Sequence, residues 1–129
     1  MEKGIKGILT KKVEKKESAQ NMGSGQLEVF ATPALVAFVE KTCWFSISDF
    51  LEEGKTTVGT KMQIDHLKAT PIDMEVICSS ELIEVDRKRL VFSFEVKDEL
   101  DLIAKGIHER FIVDAKRFQE STDNKATKQ

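Results

Sequence analysis

The segment TPALVAFVEKTCWFSISDFL, Thr32 to Leu51, is the strongest helix signal in the chain and decides how its fold is interpreted. Thr32 stands before Pro33, which fits an N-cap followed by proline at the first helical position. Gly54 follows the segment and fits a terminator of the helix. Because apolar residues cover more than one face, the pattern predicts a long helix that is enclosed on several sides.

Glu40 is the residue of this helix that raises a chemical question. It falls on a stripe that it shares with apolar residues, namely Val36, Cys43 and Ile47. Burial of a carboxylate without a partner is costly enough that the group usually changes its protonation or finds a hydrogen bond. The pattern therefore predicts a polar partner for Glu40 elsewhere in the chain, unless the buried stripe runs along a different line of the helix.

Composition limits the classes of function. The 129 residues fit one domain, predicted at residues 1–118, with a disordered polar tail at 119–129. The net charge of -2 gives no reason to expect nucleic acid or a membrane as a partner. Cys43 and Cys78 stand alone, so we expect neither a metal site nor a disulfide. In the absence of a long apolar window, we expect a cytoplasmic protein.

Strand patterns occupy most of the remaining chain. Five runs predict strands, at Gly4–Val13, Thr56–Leu67, Ile72–Val85, Arg89–Lys97 and Leu102–Lys116. Gly106 marks an expected bulge in the last of them. One strand, one long helix and four further strands describe an α+β protein whose antiparallel sheet wraps around the helix, which is the order of the hotdog fold. Since a single sheet leaves part of the helix uncovered, we expect a homodimer.

Three polar side chains are predicted to converge between the helix and the sheet. By alternation, His66 shares one face of its strand with Val58, Thr60, Met62 and Ile64. That face should pack on the helix that carries Thr32 and Glu40. An acid, a histidine and a hydroxyl in one layer are the ingredients of acyl-transfer chemistry. Plainer roles also exist, Thr32 as a helix cap and His66 as a hydrogen-bonded histidine at a strand end.

Three segments resemble one enzyme family. They are VFATPALVAFVEKTC (Val29–Cys43), LEEGKTTVGTKMQIDHLKATP (Leu51–Pro71) and GIHERFIVDAKRF (Gly106–Phe118), in the family's own order. Together they resemble the hotdog thioesterases typified by fluoroacetyl-CoA thioesterase. The resemblance implies hydrolysis of an acyl-CoA thioester by a homodimer with its sites at the subunit interface. It also implies that coenzyme A enters only as part of the substrate, with no metal and no separate cofactor.

The resemblance implies roles for individual residues. A threonine, a glutamate and a histidine form the family's hydrolytic site, and they match Thr32, Glu40 and His66. Glu40 would activate water or Thr32, and His66 would hold the threonine or protonate the leaving thiolate. Gly59 matches a position whose backbone lies close to the acyl group, and N–H groups near it are expected oxyanion donors. Apart from the resemblance, any site for coenzyme A needs basic groups for its phosphates, and Arg110 is expected to be one of them.

Two departures from the family pattern bear on the substrate. Ile72 and Asp73 stand where the fluoroacetate enzyme has a glycine after the proline, so the turn beyond His66 is expected to differ. The loop Asn21–Glu28, which should lie over the acyl pocket, carries no aromatic residue, whereas the fluoroacetyl-specific enzyme closes its pocket there with phenylalanine. We therefore expect a small acyl-CoA as substrate, a more open pocket and no specificity for fluoroacetate.

Two other functions use the same fold. A non-catalytic hotdog module that binds acyl-CoA needs a similar pocket but has no need of an acid beside a histidine. A hydratase also uses an acid and a histidine, but its characteristic residue pair is not evident in the helix. His108, in the segment GIHERF, belongs to the family pattern, and we expect it to make a structural hydrogen bond.

Overall fold

The computed structural model describes residues 1–127 and is built around the helix α2, Thr32–Ile47. Ala31 is the N-cap residue, and Thr32 is the first residue inside the helix. The prediction of Thr32 as the N-cap was therefore wrong by one position. The backbone carbonyl of Ala31 accepts from Leu35 N at 2.9 Å, and its N–H donates to Glu17 O at 2.9 Å. Because the Thr32 hydroxyl does not cap the helix, it is free to contact another element.

The C-terminus of α2 lies earlier than predicted, at Ile47, and a 3-10 turn at Ser48–Phe50 follows. The Ser46 hydroxyl donates to Cys43 O at 2.7 Å, and the Ser48 hydroxyl donates to Phe45 O at 3.0 Å. Such serine bonds to the preceding turn weaken the continuation of a helix. Gly54, predicted as the helix terminator, instead has a φ of 84° in the turn that leads into the next strand.

The five strands form one antiparallel sheet. They are β1 (Lys6–Lys12), β2 (Lys55–His66), β3 (Glu75–Asp86), β4 (Arg89–Lys97) and β5 (Leu102–Asp114). Their order in the sheet is β1-β3-β4-β5-β2, so β1 and β2 are the two edges. The sheet covers α2, and the predicted α+β arrangement is confirmed.

The core lies between α2 and the sheet. Leu35, Val39, Cys43 and Ile47 of the helix are completely buried against apolar side chains of β3, β4 and β5. Full burial of a leucine, valine or isoleucine side chain stabilises the fold by about 1.5–3 kcal/mol. The far side of the helix region is different, since Trp44, Phe45 and Phe50 are 40%, 55% and 57% exposed. Within one chain, the predicted enclosure of the helix on several sides is therefore not found.

A β-bulge in β2 changes which of its residues face the helix. The register of β2 against β5 shifts after Gly59, so that Thr60 is the extra residue. Before the bulge, Thr57 and Gly59 face the helix. After the bulge, every second residue faces it, up to and including His66. The predicted face was therefore right for the second half of the strand and wrong for Val58 and Thr60, because one inserted residue moves all later side chains to the other face.

Gly106 lies in a regular part of β5, and the bulge predicted there is wrong. It pairs with Ile64 of β2 and with Phe94 of β4. A Cβ atom at this position would lie 1.9 Å from the carbonyl oxygen of Gln63. Close approach of the neighbouring strand, and not a change of register, therefore explains the glycine.

The C-terminal segment differs from the disordered tail predicted for 119–129. It forms the helix α3, Ala115–Asp123, and a 3-10 turn at Asn124–Thr127, while residues 128 and 129 lie outside the described part. Asp114 caps the helix by accepting from Arg117 N at 3.0 Å, a signal that the polar composition concealed. Neither α3 nor another helix in the described range has the length and apolar character that a membrane span requires.

Candidate active site

Thr32 and His66 are in direct contact. Thr32 Oγ1 lies 2.8 Å from His66 Nδ1, although 34 residues separate them in the chain. The contact depends on the segments next to them, because the chain before α2 runs beside the chain after β2. Phe30 N donates to Thr70 O at 2.9 Å, and an isolated β-bridge forms beside this bond. These backbone contacts hold the first turn of α2 against the end of β2, and the hydroxyl meets the imidazole there.

The surroundings of His66 favour a neutral ring. Burial lowers the pKa of His66 below its ordinary value of 6.5, and the nearby backbone of Lys68 only partly opposes this shift. Nε2 is buried and makes no hydrogen bond to another residue in the range 1–127. When the Thr32 hydroxyl donates to Nδ1, the ring proton lies on Nε2. A neutral imidazole in this state is able to take the hydroxyl proton as the oxygen attacks a carbonyl carbon.

Glu40 lies two turns further along α2 and is less buried than predicted. Its side chain is 40% exposed, whereas Cys43 and Ile47 are fully buried, so it marks the border of the buried stripe. Its carboxylate Oε2 lies 3.8 Å from Arg110 Nη1. In the described part of the chain no hydrogen bond joins Glu40 to Thr32 or to His66. The three predicted residues therefore form a contacting pair and a separate carboxylate on the same helix.

Gly59 borders Glu40 directly. A Cβ atom at this position would lie 2.9 Å from Glu40 Oε2, 3.2 Å from Arg110 Nη1 and 3.3 Å from His108 Cε1. A side chain there would force the carboxylate or the guanidinium to move. The predicted close approach at Gly59 is therefore found against Glu40, and its contact with an acyl group stays a prediction.

Arg110 occupies a different position from the one expected. It is 7% exposed, and Nε donates to Thr57 Oγ1 at 2.8 Å while Nη2 donates to Thr57 O at 3.0 Å. Burial lowers the pKa of Arg110, and the charge of Glu40 opposes the shift. Because the guanidinium makes its hydrogen bonds to groups inside the protein, we assign it no contact with coenzyme A phosphates. Sequence reasoning missed Thr57 altogether, since the bulge that turns it inward has no clear sequence signal.

The loop predicted to cover the acyl pocket, Asn21–Glu28, is exposed along its whole length. A 3-10 turn precedes it, and the short helix α1, Ala19–Met22, includes its first two residues. Met22 and Phe38 line a cavity of about 520 Å³ between β1 and α2. Thr32, Glu40 and His66 do not line this cavity. The role of the loop as a cover of the acyl pocket therefore stays a prediction.

Solved structures identify the class to which this fold and site belong. A variant of the fluoroacetyl-CoA-specific thioesterase FlK superimposes with a TM-score of 0.91 at 27% identity, and the match covers 97% of each chain. A thioesterase superfamily member from Thermus thermophilus superimposes with a TM-score of 0.90 at 23% identity, over 98% of this chain and 93% of that one, which shows the same fold. The protein is a hotdog-fold thioester hydrolase, and the predicted class is confirmed.

Sequence comparison then gives the family. The model of the family described as fluoroacetyl-CoA-specific thioesterase (FlK) matches residues 13–116. The fluoroacetyl-CoA thioesterase of Streptantibioticus cattleyicolor is 33% identical over 98 residues, which make up 76% of this chain and 70% of that protein. The chain belongs to the fluoroacetyl-CoA-specific thioesterase family.

Proposed function

We propose that the protein hydrolyses small acyl-CoA thioesters, with Thr32, Glu40 and His66 as its catalytic residues. The 2.8 Å contact between Thr32 Oγ1 and His66 Nδ1 is the observation that carries this proposal. A hydroxyl held against a neutral imidazole is the pair that acyl transfer needs, and a module that only binds its ligand does not need it. Further support comes from a variant of the fluoroacetyl-CoA enzyme, with serine in place of a threonine, that was solved in complex with acetyl-CoA.

The proposed reaction has two halves. Thr32 Oγ1 attacks the thioester carbonyl carbon and gives its proton to His66 Nδ1. The C–S bond then breaks, and His66 returns the proton to the sulfur of coenzyme A. In the second half Glu40 takes a proton from a water molecule whose oxygen attacks the acyl-Thr32 ester. The bond between Thr32 Oγ1 and the acyl carbon then breaks, the carboxylic acid leaves, and Glu40 gives the proton to Thr32 Oγ1, which restores both residues. Backbone N–H groups near Gly59 would stabilise the oxyanion, and coenzyme A takes part only as the leaving half of the substrate.

We expect the acyl group to be small without specificity for fluoroacetate. One relative is a fluoroacetyl-CoA thioesterase and a variant of that type of enzyme was solved in complex with acetyl-CoA, and both thioesters carry small acyl groups. The exposed loop Asn21–Glu28 has no aromatic side chain that would close a pocket around a fluoroacetyl group. An open pocket accepts a range of short acyl groups, because discrimination between similar small groups requires close contacts.

The proposed function is tested by release of free thiol from a panel of short, branched and aromatic acyl-CoAs. We expect hydrolysis of the short members, detected with a chromogenic disulfide reagent after subtraction of the protein's own Cys43 and Cys78. Acyl-CoA binding without thiol release from any member would instead identify a ligand-binding module. Loss of enoyl-CoA ultraviolet absorbance without thiol release would identify a hydratase.

A homodimer is the second part of the proposal. The exposed side chains of Trp44, Phe45 and Phe50 form an apolar surface on the helix region, and β2 is a sheet edge with no further strand beside it in the described chain. Unpaired edges and apolar patches are features that a second subunit covers. Since Glu40 and His66 belong to these same two elements, the second subunit would lie next to the site.

Sedimentation velocity tests the dimer. We expect the wild-type protein to have twice the mass of one chain, and Trp44→Glu to shift it toward a single chain because a charge would enter the apolar surface. Leu100→Glu is the matched control, since Leu100 is 82% exposed in the turn between β4 and β5. A wild-type mass of one chain would contradict the proposal.

The two buried free thiols fit a reducing compartment, and we propose the cytoplasm.

A further inference from the structure

His108 is a buried histidine that the proposed reaction does not use. It is 1% exposed on β5, and its ring stacks on Phe92 with the ring centroids 6.3 Å apart. Nδ1 lies 2.8 Å from the carbonyl oxygen of Lys61, next to the bulge of β2. Nε2 lies 3.1 Å from Arg110 Nη1. Both ring nitrogens are therefore occupied by groups of the protein.

These two contacts permit one protonation state. A carbonyl oxygen can only accept, so Nδ1 carries the ring proton, and a guanidinium can only donate, so Nε2 is bare. Burial lowers the pKa of His108, and the charge of Arg110 acts in the same direction. The hydrogen bond with Lys61 and the charges of Glu40 and Glu109 only partly oppose this shift. His108 is therefore a neutral ring that accepts a hydrogen bond from Arg110.

Arg110 Nη1 is the atom that connects His108 with Glu40. Thr57 holds the other side of the guanidinium through Nε and Nη2. Nη1 donates to His108 Nε2 at 3.1 Å and stays 3.8 Å from Glu40 Oε2, which is beyond hydrogen-bond distance. Without an acceptor at position 108, a buried N–H of Nη1 would be left unsatisfied, and the nearby carboxylate is the acceptor that it could reach.

We propose that His108 is a positioning residue that holds Arg110 away from a hydrogen-bonded ion pair with Glu40 and so leaves the carboxylate open to water. This inference rests on the proposed role of Glu40 in hydrolysis. A salt bridge at hydrogen-bond distance would occupy one carboxylate oxygen and draw the group toward the buried guanidinium of Arg110. His108 thus acts through Arg110 and does not touch the substrate.

The first test does not depend on activity. Long-range proton–nitrogen NMR of the ¹⁵N-labelled protein reports the tautomer of each ring, and His66→Ala assigns the spectrum because the chain has 2 histidines. We expect His108 to carry its proton on Nδ1 at neutral pH, and a proton on Nε2 would overturn the inference. A crystal structure of His108→Met should show Arg110 Nη1 within about 3.2 Å of Glu40, and an unchanged separation would also overturn it.

The second test is kinetic. We expect His108→Met to lower kcat by about 10- to 100-fold with little change in KM, the size of effect known for a small misplacement of a reacting group. His108→Gln should recover much of the loss, because its amide oxygen can accept from Arg110. In an Arg110→Met background, His108→Met should have no further effect, since the group through which it acts is gone.

The outcomes separate the two proposals. Equal losses from His108→Met in both backgrounds, in variants with wild-type thermal unfolding, would mean that His108 does not act through Arg110 and would overturn the inference. Absence of hydrolysis by the wild-type protein would instead be a failure of the proposed function. In that case the NMR spectrum and the variant structure still decide whether His108 sets the position of Arg110.

Discussion

Glu40→Gln is expected to lower kcat by about 100- to 10,000-fold, which is the range that a general base contributes. Glutamine keeps the size of the side chain and its place between Gly59 and Arg110, but its amide cannot take a proton from water. Because the Glu40 side chain is 40% exposed and its distance from Arg110 is 3.8 Å, the free energy of unfolding should change by no more than about 1 kcal/mol. Thiol release at saturating acyl-CoA measures the first effect, and denaturant unfolding measures the second.

The matched control for this variant is Glu53→Gln. Glu53 is exposed in the turn before β2, and the same chemical change there should leave kcat at the wild-type level. The proposed second half of the reaction also predicts that Glu40→Gln accumulates an acyl group on Thr32, which mass spectrometry of the intact protein detects. Wild-type kcat in Glu40→Gln would remove the carboxylate from the mechanism and leave its contact with Arg110 as a structural one.

His66→Ala is the second large effect, with an expected loss in kcat of about 100- to 10,000-fold. The variant removes the acceptor that lies 2.8 Å from Thr32 Oγ1, so the hydroxyl proton has no base to receive it. Thiol release measures the loss, and Asp65→Asn is the matched control because Asp65 is the exposed neighbour on the other face of β2. An unaltered rate in His66→Ala would contradict the assignment of His66 as the base.

The pH dependence of the wild-type protein follows from the same residue. The reaction needs neutral His66, and burial lowers the pKa of this histidine below 6.5. Activity should therefore persist through neutral pH and decline only as the pH falls below 6.5, where the ring becomes protonated and can no longer accept from Thr32. In His66→Ala, the residual activity should not show the fall below pH 6.5 that protonation of His66 causes in the wild-type protein. An identical fall in the variant and the wild-type protein would mean that another group causes it.

Local patterns predicted the site only in part. The helix and the alternation of the second half of β2 placed Thr32 and His66 on facing elements, but their match to a catalytic set came from the resemblance to the family. Glu40 was predicted to be buried, but it is half-buried like Val36 and lies at the border of the buried stripe, beside Gly59 of the edge strand β2. The structural hydrogen bond predicted for His108 is confirmed by its contact with Lys61 O. The contacts of Thr57 and Arg110 were missed, since they depend on strand register across the bulge.

Sequence patterns were sufficient to predict the helix, the five strands and the family, because helix signals, alternation and segment similarity are properties of neighbouring residues. Which polar groups come into contact depends instead on the tertiary structure. The backbone bond from Phe30 to Thr70 closes the 34-residue gap between Thr32 and His66, and the extra residue at Thr60 turns Gly59 toward Glu40. Such contacts depend on pairing between distant strands, where a shift of one residue exchanges the buried and exposed faces.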